Sequence, residues 1–237
     1  MISLCIDTSD QFGSVAVRAN GRSMGMCLHR EMEDYSTWLL PAVDGLFKEI
    51  GKSFEELDLL AVATGPGSFT AVRVGLCTVK AWAEVYGKQL VGVSRLEAMA
   101  RSASADGWVA ASYDAHRSQI FAGLYRRTAG NLQLIEEQMV IAPDEFVAFV
   151  KKAAGEEAVR WVTLAPEVIG GHEEWTKQLG SEAQFIACEP GLANAIGELA
   201  EEKAARGEFT DVLLLDANYV RRSDAEIYWK GSSYRVG

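Results

Sequence analysis

The segment ISLCIDTSDQFGSVAVRANGRSMGMCL, residues 2–28, carries the patterns of three consecutive β-strands. An apolar run from Ile2 to Ile6 ends in a polar turn, and the segment from Gly13 to Arg18 alternates as a half-buried strand does. Asn20-Gly21 predicts a hairpin, because both residues tolerate positive φ. Met24 to Leu28 follows as a third strand. The chain is therefore predicted to open with three antiparallel strands.

The next part of the chain alternates helices with strands. Apolar residues at helical spacing predict a helix from about Tyr35 to Ile50, in which Pro41 predicts a kink or a late start. A buried-type strand from Leu59 to Ala63, a helix from Ala71 to Tyr86 and a strand from Leu90 to Val93 follow. The order is βββαβαβ, in which strands separated by helices are expected to pair in parallel.

The second half of the chain repeats this order. Its predicted elements are the strands Val109 to Tyr113, Ile120 to Tyr125, Leu132 to Ile141, Arg160 to Leu164 and Gln184 to Ala187, and helices from Pro143 to Ala154, around Glu173 to Leu179 and from Leu192 to Ala205. A tandem pair of such units is the α/β architecture of the actin-like, RNase H-like (ASKHA) fold. We therefore predict two lobes, residues 1–104 and 105–218, and a basic, mobile tail at 219–237.

Composition narrows the classes of function. The 237 residues carry a net charge of −10, and an acidic surface repels the phosphate backbone of nucleic acids. Contact with RNA would need a local basic patch or a partner protein that supplies one. No signal peptide or bilayer-spanning run is apparent, and the four cysteines lack the spacing of a metal or redox motif. These features predict a cytoplasmic protein that does not contact membranes.

The glycine-rich turn TGPGSFT, residues 64–70, lies between a predicted strand and a predicted helix. Backbone N–H groups at such a helix start can receive an anion, so Gly65, Gly67 and Ser68 are candidate phosphate contacts. The Lys-Ser/Thr pair of a P-loop is missing, and a tight turn that needs glycine dihedrals is the alternative. Ser68 lacks the flanking glycines of a nucleophile elbow. No serine nucleophile and no metal cluster is predicted.

Asp7 and Asp114 end strands at matching places in the two halves. In kinases of the actin-like fold such an acid orients hydrated magnesium, which makes Asp7 a further candidate for nucleotide contact. The alternative, an Asx-turn that caps the hairpin, is the interpretation that the sequence favours, because neither turn carries a glycine after the acid.

The helix from Ala71 to Tyr86 is apolar nearly all round. Such a helix must be buried on more than one face. In a small lobe one face packs on the sheet, so the other is expected to bind a partner protein, although a thicker core within the chain is the alternative. Aromatic residues on the preceding helix extend this surface. The predicted partner surface comprises Tyr35, Trp38, Leu39, Ala42, Val72, Gly75, Leu76, Val79, Trp82, Ala83 and Tyr86.

Several segments resemble the TsaB (YeaZ) family. They are IDTS at 6–9, STWLLP at 36–41, GPGSFTAVRVG at 65–75, GVSRLEA at 92–98, DAHR at 114–117 and YVRRSDAE at 219–226. One departure is Ala71, where the family commonly has glycine, which puts close backbone approach at that helix start in doubt. The match is specific over the first half and sparse between residues 131 and 216.

The resemblance implies a non-catalytic partner subunit of the complex that forms N6-threonylcarbamoyladenosine in tRNA, next to the anticodon. It implies a heterodimer with the catalytic paralogue TsaD, support for the ATPase TsaE, a homodimer when alone, and contact with tRNA only through the complex. It implies no cofactor of the chain's own, with ATP or ADP expected at the interface of the complex. In TsaD two histidines one helical turn apart hold a metal, and Arg95 and Met99 stand at those positions here.

One other function stays open at this point, and a further one is considered and rejected. The first is an ATP-dependent kinase or carbamoyl transferase that uses Asp7 and the loop at 64–70. The rejected function is a metallopeptidase, which follows from the paralogy alone and fails because the required histidines are absent.

Overall fold

The computed structural model describes residues 1–29, 33–164, 184–189 and 191–220. Its first sheet, sheet 1, has five strands in the order β3-β2-β1-β4-β5. The first three strands pair antiparallel as the hairpin signals predict, and β1, β4 and β5 pair in parallel. The bounds are β1 Ile2–Asp7, β2 Ser14–Ala19, β3 Arg22–Leu28, β4 Leu59–Ala63 and β5 Gln89–Val93.

Sheet 2 repeats this arrangement, with strand order β11-β10-β6-β7-β8 and β9 also paired to β7. Strands β6, β10 and β11 are parallel, and β7 is antiparallel to β6, β8 and β9. The single strand expected from Leu132 to Ile141 is two strands that pair with different parts of β7. The bounds are β6 Gly107–Asp114, β7 Ile120–Thr128, β8 Asn131–Leu134, β9 Met139–Ile141, β10 Val159–Thr163 and β11 Gln184–Ala187. This repetition confirms the duplicated α/β fold.

Five α-helices complete the described chain: α1 Tyr35–Ile50, α2 Phe69–Tyr86, α3 Arg95–Ala100, α4 Pro143–Ala154 and α5 Ala193–Ala205. Pro41 does not delay α1, which begins at Tyr35. The short helix α3 was not expected from the sequence. The helix expected around Glu173 to Leu179 and nearly all of the tail expected at 219–237 lie outside the described residues.

Alternation along the strands of sheet 1 sends side chains to two different cores. Leu4 and Val15 pack against α1 and α2 on one face. Cys5 and Ala16 face the opposite way, into the central core that also contains α3, α5 and residues of sheet 2. Helix α4 covers the far face of sheet 2. None of the helices in the described part of the chain combines the length and apolarity required to cross a membrane.

Helix α5 packs on sheet 1 although it follows sheet 2 in the sequence. Arg18 on β2 forms an ion pair with Glu201 (Nε to Oε1, 3.2 Å), and Ser3 Oγ donates to the same carboxylate at 2.7 Å. Gly197 allows this approach, because a Cβ there would lie 2.5 Å from Cys5 Sγ. After α5 the chain stays on sheet 1, where the Thr210 N–H donates to the Leu90 carbonyl. The lobe boundary at 104/105 stays a prediction.

Candidate functional site

The glycine loop at 64–70 packs against the turn between β1 and β2. The backbone N–H of Ser68 donates to the Ser9 carbonyl at 2.7 Å, so this donor is already satisfied. Gly67 permits the contact, since a Cβ there would lie 2.3 Å from the Ser9 oxygen. Gly65 has φ +94°, a conformation that favours glycine. The tight-turn interpretation therefore explains the glycines without a bound phosphate.

Asp7 and Asp114 form the Asx-turns that the sequence favours. Asp7 Oδ1 accepts the backbone N–H of Ser9 at 2.9 Å, and Asp114 Oδ1 accepts that of His116 at 2.7 Å. Asp114 is exposed, whereas Asp7 is completely buried. A buried carboxylate requires a partner of opposite charge, and Asp7 has one.

That partner is Arg95, the first residue of α3, whose side chain is also completely buried. Its Nε lies 3.3 Å from Asp7 Oδ2, and its Nη1 lies 2.6 Å from Asp10 Oδ2. The guanidinium carbon lies 4.7 Å from the centre of the Tyr113 ring. Burial alone would lower the pKa of Arg95, but Asp10 and Asp7 raise it well above its usual value. We call Arg95, Asp7, Asp10 and Tyr113 the Arg95 cluster, and its arginine is a permanent cation.

The Arg95 cluster joins the two halves of the chain. Tyr113 comes from β6 of sheet 2, and its hydroxyl donates to the Pro66 carbonyl in the glycine loop. Burial raises the pKa of Tyr113, which keeps the hydroxyl protonated as a donor. The backbone N–H of Arg95 donates to the Gly65 carbonyl at 2.8 Å. The glycine loop at 64–70 is thus held by hydrogen bonds to Ser9, Arg95 and Tyr113 of the same chain.

The structure corrects the residues of the predicted partner surface. Seven of the eleven are buried within the chain and offer little surface to a partner: Trp38, Leu39, Val72, Gly75, Leu76, Val79 and Ala83. Their helical spacing places them on the sides of α1 and α2 that face sheet 1. Gly75, for example, abuts Thr8, whose Oγ1 would lie 2.5 Å from an added Cβ. Tyr35, Ala42, Trp82 and Tyr86 remain partly or fully exposed.

A second apolar stripe of α2 does face outward. Val85 is 75% exposed, and Cys77 and Ala81 are exposed as well. On α1, which covers the same face of sheet 1, Leu40 is 55% exposed. We call Leu40, Val74, Cys77, Ala81 and Val85 the outer helix surface. These residues form apolar surface that sheet 1 does not cover, and the binding of a partner there stays a prediction.

Comparison with known proteins places this geometry in a family. Residues 29–173 match the family model described as TsaD: tRNA N6-adenosine threonylcarbamoyltransferase. Over 237 residues the chain is 29% identical to the tRNA threonylcarbamoyladenosine biosynthesis protein TsaB of Bacillus subtilis, with 97% of this chain and 98% of that protein covered. The chain belongs to this family, on its TsaB (YeaZ) branch.

Solved structures agree with the fold. YeaZ from Pseudomonas aeruginosa superposes with a TM-score of 0.73 at 24% identity, covering 92% of this chain and 99% of that one. A ROK hexokinase from Thermus thermophilus gives a TM-score of 0.53 at 12% identity, covering 87% of this chain and 100% of the other. At these identities the likeness shows the duplicated fold alone.

Arg95 and Met99 occupy the positions at which TsaD has its metal-binding histidines. Arg95 and Met99 lie one turn apart on α3, and both side chains are completely buried. A guanidinium carries only donors and a positive charge, and a thioether is a poor ligand for a hard metal ion. Among the residues that the structure describes, no group of three or more His, Cys, Asp or Glu side chains could hold a metal. The residues present do not fit the metal that the resemblance associates with TsaD.

Sequence reasoning missed two members of this site. Asp10 was not singled out, although it lies three residues after Asp7 and forms the shorter ion pair with Arg95. Tyr113 was read only as the end of a strand. An acid that follows Asp7 in a tight turn was the available signal, because a turn brings both carboxylates to one side.

Proposed function

We propose that this chain takes part in tRNA threonylcarbamoyladenosine biosynthesis as a non-catalytic subunit that pairs with TsaD through the outer helix surface. The observation that supports it most strongly is the buried ion pair between Arg95 and Asp7. The guanidinium stands beside the carboxylate that kinases of this fold use to orient hydrated magnesium. The positive charge of Arg95 therefore balances the charge of Asp7, as a metal ion does in those kinases.

Two further contacts argue against catalysis by the chain alone. Asp7 also accepts a backbone hydrogen bond, so both of its oxygens face groups of the same chain. The Ser68 N–H, which would face a phosphate in an anion-binding loop, donates to the Ser9 carbonyl instead. A kinase or carbamoyl transferase that uses Asp7 and the loop at 64–70 would have to break these contacts, so this alternative is not favoured.

The outer helix surface supports the association. Val85 and Leu40 are large apolar side chains that remain exposed on neighbouring helices. Cys77 and Ala81, which are small, are exposed on the same side of α2. Exposed apolar area grouped on one side of a fold is typical of protein interfaces. The proposal includes a homodimer through the same surface when TsaD is absent, and ATP or ADP at the interface of the complex with support for TsaE.

The test is light-scattering chromatography of the full chain, alone and mixed with TsaD of its own organism. We expect a heterodimer that Ala81→Glu and Val85→Glu abolish, because each places a charge on the outer helix surface. Lys151→Glu, a change at an exposed position on α4, is the matched control and leaves the heterodimer intact.

A parallel assay measures formation of threonylcarbamoyladenosine on tRNA. Activity is expected only when TsaD is present. Turnover by this chain alone would contradict the non-catalytic assignment, and a complex that survives both glutamate variants would contradict the assigned surface.

A further inference from the structure

A cavity of about 340 Å³ lies where the ends of α3 and α5 meet the turn between β7 and β8. Arginines from three different elements line it. Arg101 follows α3, Arg127 lies on β7, and Arg206 follows α5, with Asn131 and Glu202 also in the wall. The wall therefore brings three cations and one carboxylate together in a chain whose net charge is −10.

Two of these arginines are neutralised by their neighbours. Arg101 Nη2 and Nη1 donate to the two oxygens of Glu202, the latter at 3.2 Å, and its Nε lies 3.3 Å from Glu198. Arg206 donates from Nε and Nη2 to Glu208 at 2.7 and 3.0 Å. These pairs leave each guanidinium in place at the wall while they satisfy most of its charge.

Arg127 is different. Its Nε and Nη1 are buried and have no hydrogen-bond partner in the described part of the chain. The ion-pair partner Asp106 lies 4.0 Å away, and its carboxylate already accepts the backbone N–H groups of Ala129 and Gly130 at 2.8 and 3.4 Å. A buried donor without a partner is uncommon, and a bound ion or an ordered water is one way to satisfy it. Arg127 lines the cavity, so an acceptor bound there would lie beside these donors.

The lining indicates what chemistry the acceptor has. Guanidinium groups match the oxygens of phosphate in geometry and charge. None of the described lining residues is aromatic, so the cavity offers no surface on which a nucleobase could stack. The cavity is open to solvent, and its volume of about 340 Å³ leaves room for a phosphate group. We propose that this cavity binds a phosphate group, supplied either by an RNA backbone or by a free phosphorylated compound.

The position of the cavity is compatible with a partner on the other side of the fold. Helix α5 packs on the face of sheet 1 opposite to α1 and α2. A protein bound to the outer helix surface therefore leaves the arginines accessible. The inference goes beyond the proposed function, since it needs neither TsaD nor that surface to be correct.

Two titrations of the full chain test the site. A fluorescein-labelled tRNA transcript is followed by anisotropy at low salt, and inorganic phosphate is followed by calorimetry. Loss of a charge-assisted hydrogen bond to phosphate is expected to weaken binding about tenfold in Arg127→Gln. Glu202→Gln is expected to tighten binding, because it removes a negative charge from the wall and releases Arg101.

The matched control is Arg126→Gln. Arg126 is the neighbour of Arg127 in β7, points to the other face of the strand and pairs with Glu157 at 2.8 Å, outside the cavity. If Arg127→Gln fails to fold, Arg206→Gln replaces it, since that side chain is half exposed. If the arginine variant weakens the binding of tRNA alone, the site is assigned to RNA. If it weakens the binding of inorganic phosphate, the site is assigned to a free compound. Equal affinities of Arg127→Gln, Arg206→Gln and the unaltered chain for both ligands would overturn the proposal.

Discussion

The Nε atom of Arg95 lies 3.3 Å from Oδ2 of Asp7, and neither side chain has any exposed surface. An ion pair removed from water stabilises a fold only when its remaining polar atoms are also satisfied. Here Asp10 supplies a second carboxylate and Tyr113 supplies an aromatic face, but Asp7 Oδ2 and the guanidinium nitrogens of Arg95 form no hydrogen bond among the described residues, so the cluster is held by charge attraction. The arginine thus takes a position where its loss would leave two carboxylates close together without a counter-charge.

Arg95→Met is expected to destabilise the chain by about 3–5 kcal/mol, because it leaves Asp7 buried and unpaired. The free energy of unfolding in urea measures the effect. Asp7→Asn combined with Arg95→Met is expected to recover part of the loss, since the buried charge is gone. Arg22→Met, at an exposed position on β3, serves as the control and should change stability by less than about 0.5 kcal/mol. If Arg95→Met lowered the free energy of unfolding by no more than the control does, the ion pair would not be needed for folding.

The four cysteines are expected to react with iodoacetamide at very different rates. Burial raises the pKa of Cys5 to about 12, so its thiol stays protonated at pH 8, and the thiolate is the reactive form. Cys77 is exposed on the outer helix surface and should be alkylated first. Peptide mass spectrometry of timed samples follows each position. Rapid labelling of Cys5 in the folded chain would contradict its burial.

The same thiols report on assembly and on pH. Addition of TsaD is expected to slow alkylation of Cys77 and to leave half-buried Cys27 unchanged. The Cys5 shift also has a stability consequence. Its pKa is raised from 9.0 to about 12 on folding, so its contribution is present below pH 9 and is lost as the pH rises towards 12. Cys5→Ala should therefore flatten the decline of stability in this alkaline range.

Gly67→Ala is expected to destabilise the chain by about 1–3 kcal/mol, the range of overpacking, because its Cβ would lie 2.3 Å from the Ser9 carbonyl. Gly45→Ala is the matched control. It lies in α1 with nothing within 4 Å of an added Cβ, and alanine is the better helix former by about 0.8–1 kcal/mol. Thermal unfolding should show opposite signs for the two variants. A stabilising Gly67→Ala would show that the loop can move away from the turn.

Two glutamate substitutions on α2 separate folding from association. Val79 has no exposed surface, so Val79→Glu buries a charge and is expected to prevent stable folding. Val85 is 75% exposed, so Val85→Glu should change the free energy of unfolding by less than about 0.5 kcal/mol. Circular dichroism during urea titration distinguishes them. A large loss of stability in Val85→Glu would place this residue in the core.

Local patterns in the sequence were sufficient for most of the fold. Alternation and the Asn20-Gly21 turn located the first three strands, and helical spacing located α1 with its observed bounds. Helix α3 is not predictable in the same way, because six residues are too few to show a helical period. The break between β8 and β9 is set by pairing with β7, a tertiary effect that no window of sequence contains.

The site was harder to predict for a related reason. The periodicity of α2 revealed two apolar stripes but not which one faces the sheet, since that depends on where neighbouring strands lie. The role of Arg95 depends on Asp10 and Tyr113, which reach it from distant parts of the chain. The motif is sufficient to show that Arg95 stands where TsaD has a histidine. The contacts that the arginine side chain makes can be known only from the folded structure.

Helix α5 has a consequence for how the chain is made. It covers one face of sheet 1, yet it follows all the described strands of both sheets in the sequence. The five strands of sheet 1 leave the ribosome well before this helix does. Cys5 and Ala16 therefore lack their cover from α5 during that interval. Pairings this far apart in sequence slow folding and expose nascent chains to aggregation. Sheet 1 can therefore be closed by α5 only after every described strand of sheet 2 has also been synthesised.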